Sequence, residues 1–182
     1  MHEIIITNEM RESAKEAAKK LGRLKNSISK GKGNHVGFLG ELMVASYLNG
    51  NCKIANTYDY DLVLPDGTTI DVKSKTAKVK PLDYYECSIA AYNTKQDCEY
   101  YVFCRVLSDK SKGWILGFDS KKNFMDTAKF LKKGDIDGDN DYIVPADCYN
   151  KPIKDLMPPK KLLDMADAAE YVGPSSTYRS IS

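Results

Sequence analysis

The spacing of apolar residues predicts two helices near the start of the chain. Over residues 8–24 the apolar positions recur every three or four residues, which places them on one face of an α-helix. A second helix is predicted over 35–48, after the Gly-Lys-Gly sequence at 31–33, and Asn49-Gly50 is expected to end it. This second helix is apolar on nearly every side, which indicates that it is buried.

The middle of the chain has the pattern of a sheet. Short runs rich in β-branched and aromatic residues predict strands over 53–56, 60–64, 69–75, 84–91, 100–107 and 113–118. Beyond them, the spacing predicts a helix over 119–133, a short strand over 142–144 and a last helix over 160–171. The serine-rich end that follows is expected to be loose. The fold class predicted from these elements is α/β, a sheet flanked by helices.

The length of 182 residues suits one domain with a substantial core. We expect an N-terminal helix and basic loop (1–34) packed on a core (35–157), then a C-terminal helix and flexible tail (158–182). No apolar run approaches the roughly 18 residues that cross a membrane, and the N-terminus has no secretory signal. The five cysteines contain no CxxC pair and do not have the pattern of a zinc site or a disulfide framework. We therefore expect an intracellular, cytoplasmic protein with no membrane partner.

Basic residues are clustered, although the net charge is only +2. Residues 15–33 are rich in Lys and Arg and contain one acidic residue, and further lysines follow at 73, 75, 78 and 80. Such clusters in a nearly neutral protein suit a polyanion bound on one side. Solvated surface lysines are the alternative interpretation.

The segment YDYDLVLPDGTTIDVKSK, residues 58–75, carries charges within strands that otherwise belong to a core. Pro65-Asp66-Gly67 has the residues of a three-residue hairpin loop, with glycine at the left-handed position. A loop of this length sets Leu64 opposite Thr68. In that register Asp61 lies opposite Asp71, with their Cβ atoms about 4.5–5.5 Å apart. Because side chains alternate, the face of Asp71 also carries Lys73 and Lys75, and the core face carries Leu62, Leu64, Ile70 and Val72.

Two carboxylates this close repel each other, so one pKa is raised or a cation lies between them. A divalent metal with oxygen ligands suits such a pair, and Lys73 is near enough to orient an attacking water. A salt bridge from Asp71 to Lys73 or Lys75 is equally compatible with the spacing.

Glu41 favours a site over a surface salt bridge. Its helical neighbours are apolar, and a carboxylate turned toward a core is costly unless it is paired or binds a metal. Gly37 and Gly40 on the same helix would let another backbone or a ligand come close.

These residues resemble the PD-(D/E)XK nuclease superfamily, which has the restriction-endonuclease-like fold. Its pattern is a glutamate on a first core helix, an aspartate at the end of a strand, and an acidic residue, any residue and a lysine on the partnering strand. Glu41, Asp61 and Asp71-Val72-Lys73 meet this pattern in order, and the resemblance covers about residues 36–118. The literal Pro-Asp is Pro65-Asp66, which belongs to the turn.

The resemblance implies a restriction-endonuclease-like mixed central sheet flanked by helices, and hydrolysis of DNA phosphodiester bonds with Mg²⁺, for which Mn²⁺ can substitute. It assigns the metal to Asp61, Asp71 and the Val72 carbonyl, with Glu41 bound directly or through water. Lys73 would position the attacking water and stabilise charge on the phosphate.

The resemblance also indicates where DNA would lie. Lys75, Lys78 and Lys80 leave the strand of Asp71 toward the backbone phosphates. Tyr92 and Gln96 stand in a segment between two strands, where members of this superfamily often place a substrate-facing helix or loop. A homodimer through the N-terminal helix is compatible with the sequence, since double-strand cutting usually needs two sites.

Two other classes of function remain open. One is a nucleic-acid-binding module that keeps the fold without cleavage, and the other is a structural or partner-binding protein whose acidic pair is a salt-bridge network. Within the nuclease interpretation, repair or recombination, restriction and a viral role inside a host cell all fit. The alternating aspartates of residues 135–141 depart from a calcium loop, because glycine is fourth and residue 146 is alanine, and they indicate a solvated turn.

Overall fold

A six-stranded mixed sheet lies at the centre of the computed structural model, which describes residues 1–21, 34–55, 57–137 and 142–170. The strands are β1 His2–Ile5, β2 Lys53–Ile54, β3 Leu62–Val63, β4 Thr69–Ala77, β5 Glu86–Ala90, β6 Tyr100–Leu107, β7 Lys112–Ser120, β8 Lys129–Leu131, β9 Ile136–Asp137, β10 Tyr142–Ile143 and β11 Cys148–Pro152. The order in the central sheet is β1-β7-β6-β4-β3-β2. Its neighbours are antiparallel except β4 and β6, which run parallel from Ile70 opposite Tyr100 to Ala77 opposite Leu107.

One face of this sheet is covered by α1 Asn8–Leu21, α2 Asn34–Tyr47 and α4 Pro159–Glu170. Helix α3 Lys121–Thr127 lies on the other side, together with the second sheet described below. Helix α2 packs on β4, β6 and β7, with α1 beside it and α4 on β7. The apolar character of α2 is explained by this position, since Leu39 and Met43 are fully buried in the main core. The helix ends where expected, because Asn49 and Gly50 adopt positive φ angles of 54° and 84°.

A second, smaller sheet in the order β5-β11-β8 contributes to the opposite side of the fold. A separate apolar cluster there includes Tyr101, Phe103, Trp114 and Phe124. Within it, the buried Lys151 of β11 lies 2.6 Å from the buried Asp119 of β7. This ion pair ties the second sheet to the central one.

The prediction of a helix over 119–133 is wrong for the second half of that range. Helix α3 ends at Thr127, Ala128 has an extended backbone, and Lys129–Leu131 forms β8. The physical reason is tertiary, because β8 pairs with β11, a strand that the apolar pattern does not predict. The apolar start of the chain is also a strand, since β1 pairs with β7.

The α/β class and the helix-flanked sheet are confirmed, as is the strand predicted over 100–107. Several expectations fall outside the described residues: the end of the first helix and the basic loop over 22–33, most of the acidic turn over 138–141, and the tail from 171. No helix within the described ranges is long and apolar enough to cross a membrane.

Candidate active site

The hairpin that carries the predicted site has the expected register over β3, but the ladder ends at Leu62 and does not include the predicted pair of Asp61 and Asp71. Leu62 lies opposite Ile70, which continues the pairing that a three-residue loop imposes. Gly67 has a φ of 93°, and Asp66 accepts a hydrogen bond from the Thr68 backbone N–H at 2.9 Å. Asp66 is therefore part of the turn, and the literal Pro-Asp is scaffold.

Asp61 lies immediately before β3, beside the outer edge of β4. Its backbone N–H donates to the Ile70 carbonyl at 2.9 Å, and its Oδ2 accepts from the Val72 N–H at 2.7 Å. The N–H and C=O of one strand residue project to the same edge, so the Val72 carbonyl also faces Asp61. Asp71 lies between these contacts and is only 3% exposed.

Close packing of α2 on β4 brings Glu41 to this edge. A Cβ atom on Gly40 would lie 1.8 Å from the Ser74 Oγ, so the absence of a side chain at Gly40 allows the helix to lie this close to β4. Glu41, the next residue, is 8% exposed, which confirms that it is turned inward. At Gly37 no protein atom lies within 4 Å of such a Cβ atom, so another backbone does not approach the helix there.

The three carboxyl groups act on one another electrostatically. Burial raises the pKa of Glu41 to about 8, and the charges of Asp61 and Asp71 add to this effect. Burial and the Asp71 charge also raise the pKa of Asp61 to about 7, although the Val72 N–H and Lys73 oppose the change. At neutral pH Glu41 therefore keeps its proton for most of the time unless a cation joins the cluster.

Lys73 supplies a positive charge to this cluster. Its Nζ lies 2.5 Å from Oδ2 of Asp71, an ion pair without the alignment of a hydrogen bond. The same ammonium donates to Oε1 of Gln96 at 2.7 Å, and Gln96 Nε2 donates to the Tyr58 carbonyl at 2.8 Å. The backbone carbonyl of Gln96 accepts from Lys121. Gln96 therefore bridges Lys73 and the loop before β3.

The donor set fits a hard divalent cation in its chemistry. Its members are buried oxygen donors that repel each other, and such donors suit Mg²⁺. Within the described part of the chain, no group of three or more His, Cys, Asp and Glu side chains already has the arrangement of a metal centre. A cation bound by Asp71 Oδ2 would replace the Lys73 ammonium at that oxygen.

The predicted nucleic-acid contacts are spread over a wider surface. Lys75, in the second half of β4, and Lys78, beyond its end, are exposed, and Tyr92 is 40% exposed on the 3-10 turn before Gln96. Lys80 lies toward β1, where its charge helps to lower the pKa of Glu3.

Arg105 is a charged residue near the site that the sequence analysis did not single out. It pairs with Lys75 across β4 and β6. The available signal was a lone arginine within the apolar run YYVFCRVL, which is the same signal that drew attention to Asp71.

Neither models of known protein families nor curated proteins match this chain.

Proposed function

We propose that this protein is a divalent-metal-dependent nuclease, an Mg²⁺-dependent phosphodiesterase that hydrolyses DNA and has a restriction-endonuclease-like fold. The observation that carries the proposal is the grouping of the buried Glu41, Asp61 and Asp71 with Lys73 beside β4. In the apo protein this cluster costs stability, because buried like charges repel. A structural role alone gives no reason to keep it.

Mg²⁺, or Mn²⁺ in its place, would be held by Asp61, Asp71 and the Val72 carbonyl, with Glu41 as a direct or water-mediated ligand. When bound, it would supply Lewis-acid stabilisation of the phosphate and activation of the nucleophile. The Val72 N–H contact holds Asp61 in the orientation in which its second oxygen can face the cation.

Lys73 is the residue that would contact the reacting groups directly. Once its ammonium leaves Asp71, it can donate to the attacking water and to a non-bridging phosphate oxygen. Gln96 accepts from the same ammonium at 2.7 Å and so limits where it can move. The remaining bonds of Gln96 anchor this arrangement to the loop before β3.

The second candidate is a nucleic-acid-binding module of the same fold that does not cleave. The observation in its favour is the ion pair between Lys73 and Asp71, which neutralises one carboxylate without a metal. The two functions differ in one result, which is whether divalent metal produces strand cleavage.

The test is incubation of supercoiled, linear, single-stranded and branched DNA with the wild type and with Asp71→Asn, in Mg²⁺ and in EDTA. We expect Mg²⁺-dependent cleavage of at least one substrate by the wild type, and a loss on the order of a hundredfold or more in the variant. Equal activity of the two proteins would overturn the site assignment. Binding without cleavage of any substrate would support the second candidate.

A further inference from the structure

Lys75 and Arg105 form a pair of cations on the same side of the central sheet as the candidate site. They are register partners on the parallel strands β4 and β6, so their side chains project from the same face. That face is the one that carries Asp71 and Lys73, because side chains alternate along β4. Lys75 is two residues beyond Lys73, which places their Cα atoms about 7 Å apart along the strand.

The Arg105 side chain is held in position by the backbone. Its Nη2 donates to the carbonyl of Glu86 at 2.8 Å, and its Nη1 lies 3.5 Å from the carbonyl of Cys104. These two contacts leave further N–H groups of the guanidinium for another acceptor. A half-buried arginine fixed in this way loses little entropy when it binds an anion.

Among the described residues, neither cation of this pair has an ion-pair partner. Lys75 keeps contact with solvent, but protein atoms crowd its ammonium, and this burial together with Arg105 lowers its pKa to about 8. Two adjacent like charges without a counter-ion are unfavourable, and an anion between them would remove the cost. Phosphate oxygens match both the lysine point charge and the guanidinium fork.

We propose that Lys75 and Arg105 bind a backbone phosphate of the nucleic acid, adjacent to the phosphodiester that faces Asp71 and Lys73. The proposal rests on the proposed function for the nature of the ligand. The separation of Lys73 and Lys75 along β4 is comparable with the spacing of consecutive phosphates on one strand. The pair would therefore fix the register of the cut strand rather than take part in bond cleavage.

The experiment measures binding of a fluorescein-labelled 15-nucleotide single strand and its duplex in EDTA, by fluorescence anisotropy over a series of salt concentrations. The full chain is used as wild type, Lys75→Gln, Lys75→Arg and Lys161→Gln. Lys161 is an exposed lysine on α4 and controls for the loss of one positive charge. Melting temperatures of all four proteins establish that each one is folded.

We expect Lys75→Gln to weaken binding about tenfold, as for the loss of one charge-assisted hydrogen bond, and to reduce the salt slope by about one. Lys75→Arg should retain both values, and Lys161→Gln should match the wild type. Equal effects of Lys75→Gln and Lys161→Gln would overturn the proposal, as would a wild type that binds neither oligonucleotide. If only Lys75→Gln loses binding, and the wild type binds but does not cleave with Mg²⁺, the results would support this phosphate site and contradict the nuclease.

Discussion

The side-chain oxygen of Gln96 accepts a hydrogen bond from the Lys73 ammonium at 2.7 Å, although the two residues lie on different elements. This contact places Gln96 among the groups that position the proposed catalytic lysine. The Nε2 of the same side chain donates a hydrogen bond to the Tyr58 carbonyl, so both polar atoms of the amide are held in place.

Replacement of Gln96 by alanine should lower kcat for DNA cleavage by about tenfold or more, because Lys73 loses the contact that restricts its ammonium. KM should change little, since this side chain is already engaged within the protein. Steady-state kinetics on a single labelled substrate would measure both constants. Asp97→Asn, a change at the adjacent exposed residue, should leave kcat unaltered; a rise in KM alone for Gln96→Ala would instead indicate a substrate contact.

The stability of the metal-free protein should fall as pH rises from about 5 to about 8. The folded-state pKa of Glu41 is raised to about 8 and that of Asp61 to about 7, so the folded state holds protons that the unfolded state has already released. Stability is therefore complete below the unfolded pKa values and is lost as pH approaches the folded ones. The loss is on the order of a few kcal/mol.

Thermal melts in EDTA over this pH range would measure the effect. Glu41→Gln should flatten the slope and raise the melting temperature at pH 8, because it removes one of the repelling charges. Mg²⁺ should stabilise the wild type more at pH 8 than at pH 6, since the metal binds the ionised carboxylates. An identical pH slope in Glu41→Gln would contradict the coupling of these groups.

Gly40→Ala should destabilise the protein by about 1–3 kcal/mol and reduce cleavage, even though alanine is the better helix former. The new Cβ would lie 1.8 Å from the Ser74 Oγ and 3.0 Å from the Ser74 Cβ, so either the Ser74 side chain or α2 with Glu41 must shift. Chemical denaturation and cleavage rates measure the two effects.

Two variants control for this packing argument. Adding Ser74→Ala to Gly40→Ala should recover part of both losses, because it removes the nearest atom. Gly37→Ala on the same helix should be neutral or stabilising, since its surroundings are open within 4 Å. A loss in Gly37→Ala as large as that in Gly40→Ala would point to a general intolerance of the helix.

The buried pair of Lys151 and Asp119 should matter for folding and not for chemistry. Lys151→Met should cost about 3–5 kcal/mol, because Asp119 would remain buried without its partner cation. Lys160→Met, which breaks an exposed ion pair of 2.8 Å with Asp164, should leave the free energy of unfolding almost unchanged. Urea unfolding would compare the two, and cleavage per folded molecule should match the wild type in both.

The arrangement of the hairpin could be predicted from the sequence because its causes are local. The loop Pro65-Asp66-Gly67 fixes the register through its length, and strict alternation then assigns Leu62 and Ile70 to the core. Glu41 could be placed for a similar reason, because a carboxylate among apolar helical neighbours is costly to bury unless it has a polar partner or a cation.

The second sheet could not be predicted in this way. Residues 129–131 fit the apolar spacing of a helix and become a strand only because β11 lies beside them. Strand β11 itself, CYNKP, lacks the apolar alternation of a strand and ends in proline. The role of Gln96 has the same origin, since its partners Tyr58 and Lys73 come from distant positions in the chain.

The most direct test of the proposed nuclease site is the initial rate of nicking of supercoiled plasmid in Mg²⁺ by the wild type, Asp61→Asn and Asp66→Asn. Both substitutions remove one carboxylate from the same hairpin, but Asp61 contacts the Val72 N–H at the carboxyl cluster and Asp66 caps the turn. We predict that Asp61→Asn lowers the rate on the order of a hundredfold or more, and that Asp66→Asn cleaves like the wild type. Equal rates for the two variants, or loss of activity only in Asp66→Asn, would contradict this account.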